Sequence, residues 1–287
     1  MSTKPIAVPL FIHLVFSGNP AEAVYIEGVV VIPPHTPVPI TLGSKVVPDI
    51  ASSVIAYLES HNTHDRIFDF DYAAFQRRQD FASGVSPTRI TLESIKSAQK
   101  LMAQFHRSLG LDENAAVQFA FQWFQQQEAT APWHLIVPPV DFVGADPTVV
   151  GRDYDAMCEL WFHFDCGSPD GIGGTQINKV LHQIFPDLVV IYDSKLSDLY
   201  KGKRLGREVK DARNAQDRTN QWTKKDSFAW EPLRRDMVNL TFADERTVRQ
   251  GIAAMPCANT HIIQGLPANV WASQNLSLVR LIDMVAW

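Results

Sequence analysis

The stretch Gly167–Lys195, GSPDGIGGTQINKVLHQIFPDLVVIYDSK, decides how the rest of the chain is read. It opens on a glycine-rich turn, Gly171-Ile172-Gly173-Gly174, where the missing Cβ atoms let backbone N–H groups approach another molecule. Ile177 to Ile184 places apolar residues at helical spacing and stops before Pro186. A helix that starts at the turn points unsatisfied amides and the positive end of its dipole outward, which suits a phosphate. The apolar run Leu188–Tyr192 then reads as strand-like and delivers a carboxylate, Asp193. Set one helix behind a glycine turn, Asp193 is a candidate for chemistry, and equally an N-cap for a helix through Leu196 and Leu199.

Upstream, Tyr154 to Phe164 carries Met157, Leu160, Trp161 and Phe164 at helical spacing and supplies the first helix of a hairpin pair. Together these residues resemble the helix-hairpin-helix DNA glycosylases, whose hairpin reads roughly L-P-G-[IV]-G-x-x-T-A and leads through a strand-like stretch to P-V-D-T-H. In this likeness Gly171-Ile172-Gly173 is the hairpin and Asp193 stands at the catalytic aspartate, 22 residues after Gly171, the family's usual spacing. The likeness spans residues 155 to 200 of the chain, with the helix pair at 155–185. The I-Y-D-S box and the tail R-L-I-D-M-V-A-W also resemble an uncharacterised bacterial family, which implies no function.

The glycosylase resemblance implies a mainly α fold, a helix-hairpin-helix glycosylase-like helical body. It implies a monofunctional DNA glycosylase in which Asp193 assists water attack and an abasic site is left, for genome repair or for defence against phage with modified DNA. The DNA-binding set would be Gly171, Ile172, Gly173, Gly174 and Thr175 at the hairpin, with Lys179, Lys195, Lys201, Lys203 and Arg204. The partner would be double-stranded DNA with a flipped base, bound by a monomer, and no cofactor is expected beyond a monovalent cation at the hairpin. Two departures narrow the chemistry. Thr175 stands where bifunctional members carry a nucleophilic lysine, so lyase activity is not expected, and Lys195 replaces the histidine of D-T-H. The alternative reading is a non-catalytic DNA-binding helix-hairpin-helix protein.

Composition bounds the rest. With 287 residues, 46% hydrophobic and 20% charged, the chain can bury a sizeable core. No apolar run reaches the ~18 residues of a membrane helix, and Ile6–Phe16, broken by Pro9 and His13, lacks a signal-peptide pattern. Three cysteines, Cys158, Cys166 and Cys257, suggest no disulfide framework and cannot build a four-cysteine iron–sulfur loop. A cytoplasmic protein is expected. The net charge of −5 hides an asymmetry: Lys195 to Arg235 holds twelve basic and six acidic residues, a local +6 that leaves −11 elsewhere. Such a basic flank can track phosphates, or can be an ordinary solvated face.

Two divisions are expected, a β-rich N-terminal element over 1–50 and a helical body over 51–287 with the basic segment at 195–235. Val8–Phe16 and Val24–Ile32 are β-branched and aromatic. Thr91-x-x-Ser94 and Asp112 mark helix starts, and the helix after Asp112 ends in Gln125-Gln126-Gln127, side chains able to fill a gap in a base stack. His61 and His64 have a ligand-like spacing without a third partner. Trp133, Trp161 and Trp222 are candidates for a base pocket or for core anchors, and Trp222 lies among Lys224 and Lys225. Asp244 is read as the cap of a helix through Val248 and Ile252, and Leu276–Trp287 as a last helix packed on the hairpin.

Overall fold

Helices dominate the computed structural model, which describes residues 25–26, 29–30, 35–60, 90–100, 109–137, 141–201, 209, 211–212, 230–258, 262–263 and 265–286. The fold is mainly α with small antiparallel strand pairs. In chain order among the described residues come β1 (Tyr25–Ile26), β2 (Val29–Val30), β3 (Ile40–Leu42), β4 (Lys45–Val47), α1 (Ile50–Ser60), α2 (Leu92–Lys100) and α3 (Glu113–Glu128). They are followed by α4 (Asp153–Asp165), α5 (Gly174–Ile184), α6 (Ser194–Leu199), α7 (Trp230–Met237) and α8 (Phe242–Ala254). The last elements are β5 (Ile262–Ile263), β6 (Leu266–Pro267), α9 (Ala268–Asn275) and α10 (Leu278–Ala286).

The chain divides into two compact units, Met1–Pro34 and His35–Trp287. The first contains the β1–β2 pair, in which Tyr25 faces Val30 and Ile26 faces Val29. The boundary falls at residue 34, before position 50, because the β3–β4 hairpin belongs to the helical unit. Ile40, Leu42 and Val47 are buried in its core, and β3 lies against α7.

Helix starts follow local chemistry. Thr91 and Ser94 exchange hydrogen bonds at the start of α2: the Thr91 N–H donates to Ser94 Oγ at 2.9 Å and the Ser94 N–H to Thr91 Oγ1 at 3.1 Å. Asp112 caps α3, accepting the Ala115 N–H at 2.9 Å. At α8 the cap is Thr241, one turn earlier than the expected Asp244. Asp244 is the third helical residue and accepts the Thr241 N–H at 2.8 Å, while its own N–H donates to Thr241 Oγ1. The T-x-x-D pattern is a capping box with aspartate in place of glutamate.

The helical unit is built around α5. Every residue from Ile177 to Ile184 is buried, and the helix lies against α2 and α4. Sinking Ile177, Val180, Leu181 and Ile184 contributes about 1.5–3 kcal/mol each and leaves little of the helix for solvent. The C-terminal region forms two helices, α9 and α10, with the break at Leu276–Ser277. The main neighbours of α10 are α1 and α6.

Candidate carboxylate site and nucleic-acid interface

Helices α4 and α5 pack against each other across the turn 166–173, so two helices do flank the glycine-rich turn. Two glycines of the turn have separate reasons to be glycine. Gly171 has φ +91°, a conformation costly for any residue with a Cβ. At Gly174 a Cβ would sit 3.1 Å from the Trp161 ring, which lies across the first turn of α5.

The turn uses most of its own polar groups. The Ile172 N–H donates to the Pro169 carbonyl at 3.0 Å, and the Gly173 N–H to Gln176 Oε1 at 2.9 Å. The other end of that side chain, Nε2, donates to the Gly171 carbonyl at 3.4 Å. Of the expected phosphate-binding amides, Ile172 and Gly173 are therefore engaged internally. Those of Gly174 and Thr175, in the first turn of α5, carry no intrahelical bond. The carbonyls of Pro169, Gly171 and Gly173 accept bonds from Ile172, Gln176 and Ile177.

Behind α5, the run Leu188–Ile191 is buried but pairs with no strand among the described residues. Side chains from one face of α5 take the place of a neighbouring strand. His182 Nδ1 binds the Val189 carbonyl at 2.5 Å. Asn178 Nδ2 donates to the Tyr192 carbonyl at 3.2 Å, and Thr175 Oγ1 donates to the same oxygen at 3.5 Å. Residues 175, 178 and 182 share one helical face. Burial holds the His182 imidazole at a pKa of about 3, with the nearby Arg280 guanidinium adding to the effect and the Val189 bond opposing it, so the ring is neutral.

This anchoring sets Asp193 beside the start of α5. Asp193 is the N-cap of α6: Oδ1 accepts the Lys195 N–H at 2.9 Å and the Leu196 N–H at 3.1 Å. The residue is 7% exposed. Oδ2 accepts no hydrogen bond among the described residues, yet it is not a fully buried orphan atom, so it retains contact with solvent.

Other expected contributors fall differently. Lys195 and Lys201 are exposed along and just beyond α6. Lys179 is 6% exposed and engaged within the fold, so it is withdrawn from a phosphate surface. Trp133 is a core anchor: its ring lies 5.8 Å from Phe164 and 6.2 Å from Phe185, and its Nε1 donates to the Glu128 carbonyl. Trp161 is half-buried, edge-on to Trp230 at 5.5 Å, with Nε1 fully enclosed. Lys203, Arg204, Trp222, His61 and His64 lie outside the described residues. The glutamine-ended helix α3 does reach the hairpin: Trp123 Nε1 donates to the Gly167 carbonyl at 3.3 Å, and His163 Nε2 binds the Gln127 carbonyl at 2.9 Å. No group of three or more His, Cys, Asp or Glu able to hold a metal occurs among the described residues.

A separate cleft of about 370 Å³ lies between β3, α7 and α8, lined by Val38, Pro39, Ile40, Thr41, Asp236, Asn239, Leu240 and Asp244. It contains no hairpin residue. The hydroxyl of Tyr200, the C-cap of α6, donates to the lining residue Asp236 at Oδ2, 2.9 Å away; burial, with Asp236 alongside, pushes that phenol's pKa upward.

The sequence reading missed Gln176, Asn178 and His182. The available signal was the one-face spacing of Thr175, Asn178 and His182 on a helix whose apolar residues are Ile177, Val180, Leu181 and Ile184. No protein-family model, curated protein or solved structure matches the chain, so its functional reading rests on its own residues.

Proposed function

We propose that the chain is a monofunctional DNA glycosylase, hydrolysing the N-glycosidic bond of a damaged or modified base. One observation carries the reading. Asp193, 22 residues beyond Gly171, is held beside the N-terminus of the second hairpin helix, through the Tyr192 carbonyl that Asn178 and Thr175 bind.

As the base departs, the C1′–N bond breaks and positive charge grows on the deoxyribose. Asp193 Oδ2 stabilises that charge and takes a proton from the attacking water, whose oxygen forms the new C1′–O bond. The other oxygen, Oδ1, stays on the α6 amides and keeps the group in register. The base leaves with a proton from solvent, and an abasic site remains. The N–H groups of Gly174 and Thr175, with the charges of Lys195 and Lys201, supply phosphate contacts that offset the few kcal/mol of base flipping.

The test is base release from duplex oligonucleotides carrying damaged and hypermodified bases, followed by alkali cleavage. Asp193→Asn is the informative variant because asparagine caps a helix as well as aspartate does, so it removes the charge and keeps the fold. Base release should fall by about 100-fold or more. Full activity in Asp193→Asn, or no release from any substrate, overturns the catalytic reading.

A second reading is a non-catalytic DNA-binding hairpin, favoured by the low exposure of Asp193 and its use as a cap. It predicts salt-dependent DNA binding that survives Asp193→Asn, with no product.

A further inference from the structure

We infer that Asn178 is the positioning residue of Asp193, acting through the Tyr192 carbonyl, with Thr175 as its weaker partner. The inference rests on the glycosylase reading for the purpose of that positioning, and on geometry for the positioning itself.

A peptide unit is planar, so the carbonyl of Tyr192 and the nitrogen of Asp193 move as one body. Fixing that oxygen therefore fixes the plane that carries the Asp193 Cα. Two side chains converge on the oxygen from consecutive turns of α5: Asn178 Nδ2 at 3.2 Å and Thr175 Oγ1 at 3.5 Å. The carboxylate is held from the opposite side by the α6 amides of Lys195 and Leu196. Asp193 is thus gripped at its backbone by one helix and at its side chain by another.

Asn178 is an unusual residue for its place. It is 3% exposed on a helix buried from Ile177 to Ile184, and its Oδ1 makes no hydrogen bond. Leaving a buried carbonyl-type oxygen unpaired is unfavourable. An apolar residue would avoid that cost, but it would leave the Tyr192 oxygen to Thr175 alone. The position therefore serves the Tyr192 carbonyl at the expense of its own second polar atom. His182 does the equivalent job at Val189, three residues before Tyr192, so the run is tethered at both ends by the same helix.

The test uses Asn178→Leu, which keeps most of the volume and removes the donor. Hydrogen exchange of the Lys195 and Leu196 amides should quicken by about tenfold, the scale of one buried hydrogen bond, while the amides of α3 stay unchanged. Base-release kcat should fall by about 10- to 100-fold, as expected when a reacting group is displaced, with KM and DNA affinity unchanged. Unaltered exchange at Lys195 and Leu196 overturns the inference, as does a loss confined to KM. Should Asn178→Leu fail to fold, Thr175→Val removes the other donor from a half-buried site and must show the same two changes at smaller size. Absence of base release by the wild-type chain defeats the glycosylase reading instead, and the exchange result still decides whether Asn178 holds Asp193.

Discussion

Asp112 and Asp193 do the same local job with different surroundings. Each is an N-cap whose carboxylate accepts backbone amides at the start of a helix. Asp112 sits on an exposed loop and starts a 16-residue helix, and nothing beyond its own first turn is needed to explain it. Asp193 starts a helix of 6 residues and is almost covered, and its preceding carbonyl is bound by side chains 14 and 17 residues away in sequence. A cap that serves only its helix needs no such support. The extra anchoring sets Asp193 apart from Asp112.

The sharpest way to break this comparison is to neutralise each aspartate in turn. Asp193→Asn should lower base release by about 100-fold or more, while Asp112→Asn should leave it unchanged. Equal responses would reduce Asp193 to the status of Asp112.

Acid offers the next largest contrast. Folded His182 takes up a proton only near pH 3, against 6.5 for the free side chain. Between those values the unfolded chain binds a proton that the folded chain refuses. Stability is therefore intact above pH 6.5 and lost as the pH falls through that window, with a slope approaching about 1.4 kcal/mol per pH unit. Because His182 holds Val189, exchange at Lys195 and Leu196 should quicken in acid before exchange at Ala115 does. Urea denaturation across pH 4.5 to 7 would measure the slope, which His182→Asn should flatten.

The smallest effect is on the caps themselves. Asp112→Ala should cost about 1 kcal/mol and Asp193→Ala up to about 2 kcal/mol, read from thermal or urea unfolding. A larger loss at Asp112 would contradict the view that Asp193 is the better integrated of the two.

Much of the fold was legible in the sequence because it rests on short-range chemistry. Asp112, Thr91 with Ser94, the apolar spacing in α4 and α5, and the stop at Pro186 all act within one or two turns. The 22 residues from Gly171 to Asp193 are spanned by one helix, α5, and one buried extended run. What was not legible depends on partners far along the chain. Leu188–Tyr192 has the composition of a strand, yet its carbonyls are met by Thr175, Asn178 and His182, which no strand pattern announces. Lys179 carries a surface residue's charge on a helix enclosed by others. Trp133 and Trp161 have the composition of a pocket, but a ring that packs on Phe164 and one that covers Gly174 look alike until their neighbours are in place.

The hairpin turn also sets a limit on how firmly a ligand can be held there. With Ile172 and Gly173 already donating within the loop, the turn offers a visiting phosphate two amides, those of Gly174 and Thr175. Two such contacts, each exchanging water for a charged acceptor, supply about 3 to 6 kcal/mol at most, short of the roughly 8 kcal/mol behind a micromolar complex. A phosphate held by these two amides alone would exchange readily. Tight binding of any phosphate-bearing ligand would therefore need contacts from other surfaces of the chain.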